Sequence, residues 1–253
     1  MANQTIQNSI DFASTQIQYS PLSVGTANEP AITIANEIQN LFFGPPFTWG
    51  FNRAENGPAN NTTLTLQPGV QDYLVPVTDF SFMETATTTD PVTGETFSIS
   101  DVYNTKNLST GDTSPNISKR GRPNSVSVRM LQFGTSITLR FLGVPDKAYG
   151  VTFTYQKLVA PMSALTGAAG TWTIPAHYSD IYTALFLAEA FATVDDARAM
   201  QYRQRGIAAL LAKAEGLDDM TKNAFLQQYW SRQGRPDMAG PLKTQQGVQG
   251  RGA

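Results

Sequence analysis

Cysteine is absent from the chain, which excludes disulfides, thiolate nucleophiles and cysteine-ligated metals. Histidine occurs once, at His177. A catalytic or metal-binding histidine needs companions, and no second ligand stands at helical spacing from this one. His177 therefore reads as a turn residue ahead of a helix. Charge is sparse: Asp, Glu, Lys and Arg make up 15% of residues and the formal net charge is −2. No global field draws such a chain to nucleic acid, although a local basic patch stays open. No apolar run is long enough to span a bilayer, so no membrane contact is expected. Residues 1–9 carry neither a basic nor an apolar signal-peptide region, so cytoplasmic folding is the expectation. The Asn-x-Ser/Thr triplets at Asn61, Asn107 and Asn116 then read as polar loop positions. Gly-rich phosphate loops and a Ser–His–Asp arrangement at motif spacing are also missing. The expectation is a non-enzymatic chain without metal or cofactor.

What is present is a change of pattern near Ile174–Leu185, from strands before it to helices after it. With 253 residues and 41% hydrophobic residues, the chain can bury one large core or two small ones. Residues 1–29 alternate polar and small apolar types and are expected to form an extended arm, with one short strand near Gln16–Tyr19. Residues 30–45 predict an early helix: Ile34, Ile38, Leu41 and Phe42 share one face, Pro30 suits the first turn and Gly44-Pro45-Pro46 stops it. Residues 46–176 predict a β platform. Thr63–Gln67, Asp72–Pro76, Phe80–Thr87, Thr96–Ile99, Ser125–Met130, Ser136–Phe141 and Gly150–Lys157 read as strands. Short turns without intervening helices imply antiparallel pairing in a sandwich or rolled sheet.

Residues 177–231 predict a helical bundle that the early helix joins. Tyr178, Ile181, Tyr182, Leu185 and Ala188 form a first stripe. Met200, Arg203, Ile207, Leu210, Leu211 and Ala214 form a second, in which Gly206 marks a close helix contact. Phe225, Leu226, Tyr229 and Trp230 form a third. The carboxylate pairs Asp195-Asp196 and Asp218-Asp219 precede helices, where capping accounts for them. Residues 232–253 hold four basic residues and almost no large apolar ones, and are expected to be a flexible tail that orders only against a partner. The fold class is thus α+β, an antiparallel platform with a helical bundle built from one early helix and the C-terminal helices.

Two groups of residues stand out as surfaces. Lys119, Arg120 and Arg122 form the densest basic run. It fits a nucleic-acid contact, a contact with a neighbouring subunit, or a solvated turn before the strand at Ser125. Phe42, Phe43, Phe47, Trp49 and Phe51 form an aromatic cluster with only Arg53 nearby, which favours a core where helix meets sheet over a single-strand nucleic-acid platform.

Several stretches together resemble a known family. They are Pro30–Asn36 leading to Pro45–Arg53, Pro68–Tyr73, Arg122-Pro123, Arg140–Asp146, Tyr149–Pro161, Ile174–Leu187 and Leu210–Leu217. Their order is similar to that of tailed-bacteriophage neck proteins, the head-to-tail adaptor or connector class, over residues 30–231. The resemblance implies a structural virion protein of the neck or tail, assembled in the host cytoplasm. It implies a homo-oligomeric ring, commonly dodecameric, that meets the portal protein on one side and a tail or nozzle protein on the other. Packaged double-stranded DNA would pass through the lumen without sequence specificity. Helices would lie near the portal, and the tail residues Arg232, Arg235, Lys243 and Arg251 become portal-contact candidates. Tail-completion, tail-fibre-attachment and capsid-decoration proteins are the alternative within the same biology; an undetected hydrolase is the alternative outside it.

Overall fold

The computed structural model describes residues 4–17, 23–24, 29–56, 64–103, 120–132 and 136–234. Two hydrophobic cores organise them, one helical and one inside a β-sandwich.

The helical core draws on the whole length of the chain. Helix α1 (Ile6–Gln16) occupies the segment expected to be an extended arm. Ile6, Ile10, Ala13 and Ile17 recur at helical spacing and are buried, while the remaining positions are mostly polar. So narrow a stripe leaves the average pattern polar, which explains the different expectation. Thr5 caps the helix by accepting the Asn8 N–H. A two-residue ladder, β1 (Ser23–Val24) with β2 (Glu29–Pro30), precedes helix α2 (Ala31–Phe43). Helix α3 (Ser179–Ala192) buries nine of its 14 residues, on all sides, as a central helix does. Helix α4 (Arg198–Lys213) lies along it, and helix α5 (Asp219–Arg232) buries Leu226 and Trp230.

Gly206 of α4 is where α3 comes closest. A Cβ there would stand 2.7 Å from Leu185 Cγ, so only hydrogen fits. The aromatic cluster belongs to this core as well. Trp49 stacks on Phe42 with centroids 4.2 Å apart and donates to the Phe42 carbonyl at 2.7 Å. Phe51, at the rim, remains exposed.

The sandwich has two sheets. One holds β5 (Asp72–Val75), β10 (Ser136–Leu142), β9 (Ser125–Gln132) and β8 (Asp101–Tyr103), in that order. The other holds β3 (Arg53–Asn56), β11 (Gly150–Lys157), β6 (Phe80–Thr89) and β7 (Thr96–Ser98), with β4 (Leu64–Thr65) also paired to β11. Phe80, Met83, Val126, Leu139, Phe141, Val151 and Phe153 fill the space between the sheets. Alternation fixes which side chains enter: in β10 every second residue, Ile137, Leu139 and Phe141, is buried. Among the described strand ladders, the pairing departs from the all-antiparallel expectation where β8 runs parallel to β9. A parallel pair needs a connection of a dozen or more residues, and residues 104–124 are long enough to supply it.

The two cores meet through amides. Asn52 donates to Gln156 Oε1 at 3.1 Å and to the Lys157 carbonyl at 2.9 Å. Gln156 in turn donates to the Trp49 carbonyl at 3.2 Å and to Glu84, which also pairs with Arg53 at 2.7 Å. Residues 158–176, expected within the platform, instead place Met162, Leu165, Trp172 and Ile174 in the helical core. Asn36 and Gln39 of α2 hold this strap through the Met162 and Ala160 carbonyls, at 3.0 Å and 2.9 Å. Helix α1 is tied to it too, by Trp172 Nε1 donating to Ser9 Oγ at 3.1 Å.

Candidate assembly surfaces

The residues with the greatest chemical potential occupy structural roles. His177 is exposed in a 3-10 turn that leads into α3, and its carbonyl accepts from Lys213 Nζ at 3.1 Å. Asp196 accepts the Arg198 N–H at 2.8 Å at the start of α4, and Asp218 accepts the Thr221 N–H at 2.7 Å as the N-cap of α5. Among the described residues, no group of three His, Cys, Asp or Glu side chains is placed to hold a metal ion. Among those residues, too, no helix is long and apolar enough to cross a membrane. Tyr149 and Tyr155 are pushed up to about 12, by burial first and then by hydrogen bonds to Asp146 and Asp79. Both phenols stay protonated at any physiological pH.

The basic loop lies at one end of the sandwich. Arg120 bridges to Val144, and the Gly121 N–H reaches the Val144 carbonyl at 2.9 Å. Gly143, beside Val144, has a φ of +88°, a conformation that favours glycine and that turns the chain toward Pro123. Arg122 lays its guanidinium over the Phe97 ring, 3.8 Å from the centroid, a contact that anchors the loop on β7. Arg120 is exposed and has no ion-pair partner among the described residues. Lys119 lies outside them. The same end carries Lys147, paired with Asp90 at 2.9 Å. That pair and the Val92 N–H hold the Asp90 carboxyl below its ordinary value.

Strand β11 measures the distance from this end to the bundle. It begins at Gly150, next to the loop, and ends at Lys157, where Asn52 joins the helical core. Eight strand residues span about 25 Å at the usual rise of ~3.3 Å each. The molecule therefore presents two well-separated ends.

At the other end, a cavity of about 560 Å³ opens between α2, α3 and α5. Ile34, Ile38 and Leu41 form one wall, and Phe225 and Tyr229 form another. Tyr229 is pushed up to about 12, by burial foremost. Arg232, expected in the tail, lies in the last turn of α5 and lines this cavity. Arg235, Lys243 and Arg251 lie outside the described residues. The cavity had no signal in the sequence, because its two main walls are about 190 residues apart in the chain.

Comparison with known proteins supplies the family. A search of curated proteins gives no match. The family model of the SU10 adaptor protein matches residues 37–237, from within α2 through the end of α5. Four-fifths of the chain is covered, and the chain belongs to the SU10 adaptor family, a phage structural adaptor of the head-to-tail kind.

Proposed function

We propose that the chain assembles into a closed ring, dodecameric in the manner of connectors, that joins the portal to a tail or nozzle protein in the neck of the virion. Packaged DNA passes through its lumen without sequence-specific contacts. The observation that carries this reading is the two-ended architecture. A bundle with an open groove and a sandwich with an exposed cationic loop lie about 25 Å apart along β11. An adaptor that grips one protein above and another below needs two such surfaces. The bundle end faces the portal in this reading, with Arg232, Arg235, Lys243 and Arg251 supplying contacts, and the sandwich faces the tail.

Lys119, Arg120 and Arg122 contact a neighbouring subunit in the ring. The anchoring of Arg122 on Phe97 supports this, since it holds Arg120 out in a fixed position. Negative-stain imaging of the purified chain mixed with its portal protein tests the proposal. Rings should appear on the portal, and Arg120→Gln with Lys119→Gln should reduce them, most strongly at low salt where charge pairing is least screened. Normal rings with leakage of DNA from the head would place the loop on the DNA path instead. Absence of any portal or tail binding would refute the adaptor position and favour a decoration or fibre-attachment role.

A further inference from the structure

The cavity between α2 and α5 is more than a packing defect. Its walls combine apolar side chains (Ile34, Ile38, Leu41, Leu185, Phe225 and Tyr229) with Asn40, Glu189 and Gln228, and Glu37 and Arg232 also line it. Glu37 is exposed, and neither it nor Arg232 has an ion-pair partner among the described residues. The last described residue, Gly234, follows directly on Arg232 and Gln233, both of which line the cavity. Nineteen residues remain beyond that point, 235–253.

We infer that this groove is the seat of the chain's own C-terminal segment, entered by Met238 and Leu242. Three features of the sequence fit it. Met238 and Leu242 are the first two large apolar side chains after the helix, so they are the ones an adjacent apolar groove receives. Arg235 and Lys243 bracket them and complement the free carboxylate of Glu37, while Asp237 complements Arg232. Length also suffices: at ~3.3 Å per extended residue, Leu242 reaches about 26 Å from Gly234. The groove offers Met238 and Leu242 an apolar surface within reach.

The commitment to the same chain, over a second copy, rests on tethering. A short covalent connection to Gly234 gives the segment an effective concentration in the ~millimolar range at its own groove. Free chains in dilute solution stay far below that. The portal contact proposed above for Arg235 and Lys243 then competes with the groove, so portal binding would draw the segment out. The groove assignment itself does not depend on that contact.

The absence of cysteine makes the test direct. In the full-length chain, Glu37→Cys with Lys243→Cys introduces the only two thiols. Mild oxidation at low protein concentration should yield an intrachain disulfide, seen as a faster monomer band on a non-reducing gel. Its yield should not change with dilution. A second pair, Met220→Cys with Lys243→Cys, uses a position on α5 that is 82% exposed and outside the groove, and should cross-link several-fold less. Adding Leu242→Asp to the first pair should bring its yield down to that of the second. Cross-linking between chains that falls on dilution would overturn the assignment in favour of a second copy. Equal yields for the two pairs would overturn it in favour of a partner from outside the chain, or of none. Hydrogen exchange of the unmodified protein gives an independent reading: Leu242→Asp should raise exchange in Ile34–Leu41 and Phe225–Tyr229. Unchanged exchange there would contradict the assignment without any engineered cysteine.

Discussion

The sandwich and the helical core obey different rules of assembly. The sandwich is built from strands that alternate, each with its neighbours in one continuous stretch of chain from Arg53 to Lys157. The helical core is gathered from distant stretches: α1, α2, the strap at 158–176 and the last three helices. Its central helix, α3, is buried all round. The sandwich thus closes within one stretch of chain, whose first and last strands, β3 and β11, pair with each other, whereas the helical core exists only when both ends of the chain come together. Between them, buried amides rather than apolar side chains carry the contact. Amide contacts fix direction more than they add free energy.

The largest effect should come from emptying either core. Trp49→Ala removes a fully buried indole and its hydrogen bond to the Phe42 carbonyl. Phe153→Ala removes a buried phenyl ring from the sandwich. Each should cost about 3–5 kcal/mol in denaturant unfolding. Their consequences should differ in place. Hydrogen exchange in the Trp49→Ala variant should rise in α1, α2 and α3 together and spare β10, while Phe153→Ala should show the reverse. Equal loss of protection everywhere would mean that the two cores form one cooperative unit.

A smaller change sharpens the boundary itself. Gln156→Leu removes the hydrogen bonds that tie Asn52, the Trp49 carbonyl and Glu84 to β11, while Asn52 keeps the Lys157 carbonyl, the Trp49 carbonyl keeps the Asn52 N–H and Glu84 keeps Arg53. The expected cost is about 0.5–1.5 kcal/mol for each hydrogen bond lost, because every former partner keeps another. It should also separate one thermal transition into two, because the link and not either core has been cut. A single transition in calorimetry, merely shifted, would show that apolar contacts carry the coupling.

Acid should have the mildest effect. Asp90, Asp196 and Asp218 are all held below their ordinary value of 3.8. The causes are, in turn, the Lys147 hydrogen bond, the Arg198 hydrogen bond, and hydrogen bonds from the Thr221 side chain and N–H. Because the folded chain releases these protons more readily than the unfolded chain, their stabilisation is complete above that value. It is lost as pH falls below it, through the lower folded values. Melting temperature should therefore drop between neutral pH and about pH 3, and less so for Asp218→Asn than for the parent. Asp218 caps α5, Asp196 holds the first residue of α4 although the N-cap position there is Ala197 and not the expected carboxylate, and Asp90 sits in the β6–β7 turn, so the loss should be greater on the helical side.

How legible each part was follows from the same contrast. The strand patterns announced β4, β5, β6, β7, β9, β10 and β11. The early helix, the three late helices and the close approach at Gly206 were also legible, since each has a local signature. Helix α1 was legible only in principle: Ile6, Ile10, Ala13 and Ile17 carry the period, but with too few apolar residues to stand out. The parallel β8–β9 pair and the amide link were not legible, because both depend on which distant segments meet. The same holds for the surfaces. Arg120 and Arg122 were visible as charge, but the stacking of Arg122 on Phe97 was not. The groove belongs to neither of its walls alone.

Cryo-electron microscopy of the purified chain bound to its portal protein tests the adaptor account most directly. The account predicts a closed ring beneath the portal, with α2 and α5 toward it and the Arg120 loop toward the tail side and a neighbouring subunit. A chain that binds the portal through its sandwich, or that decorates the particle singly without closing a ring, would contradict it.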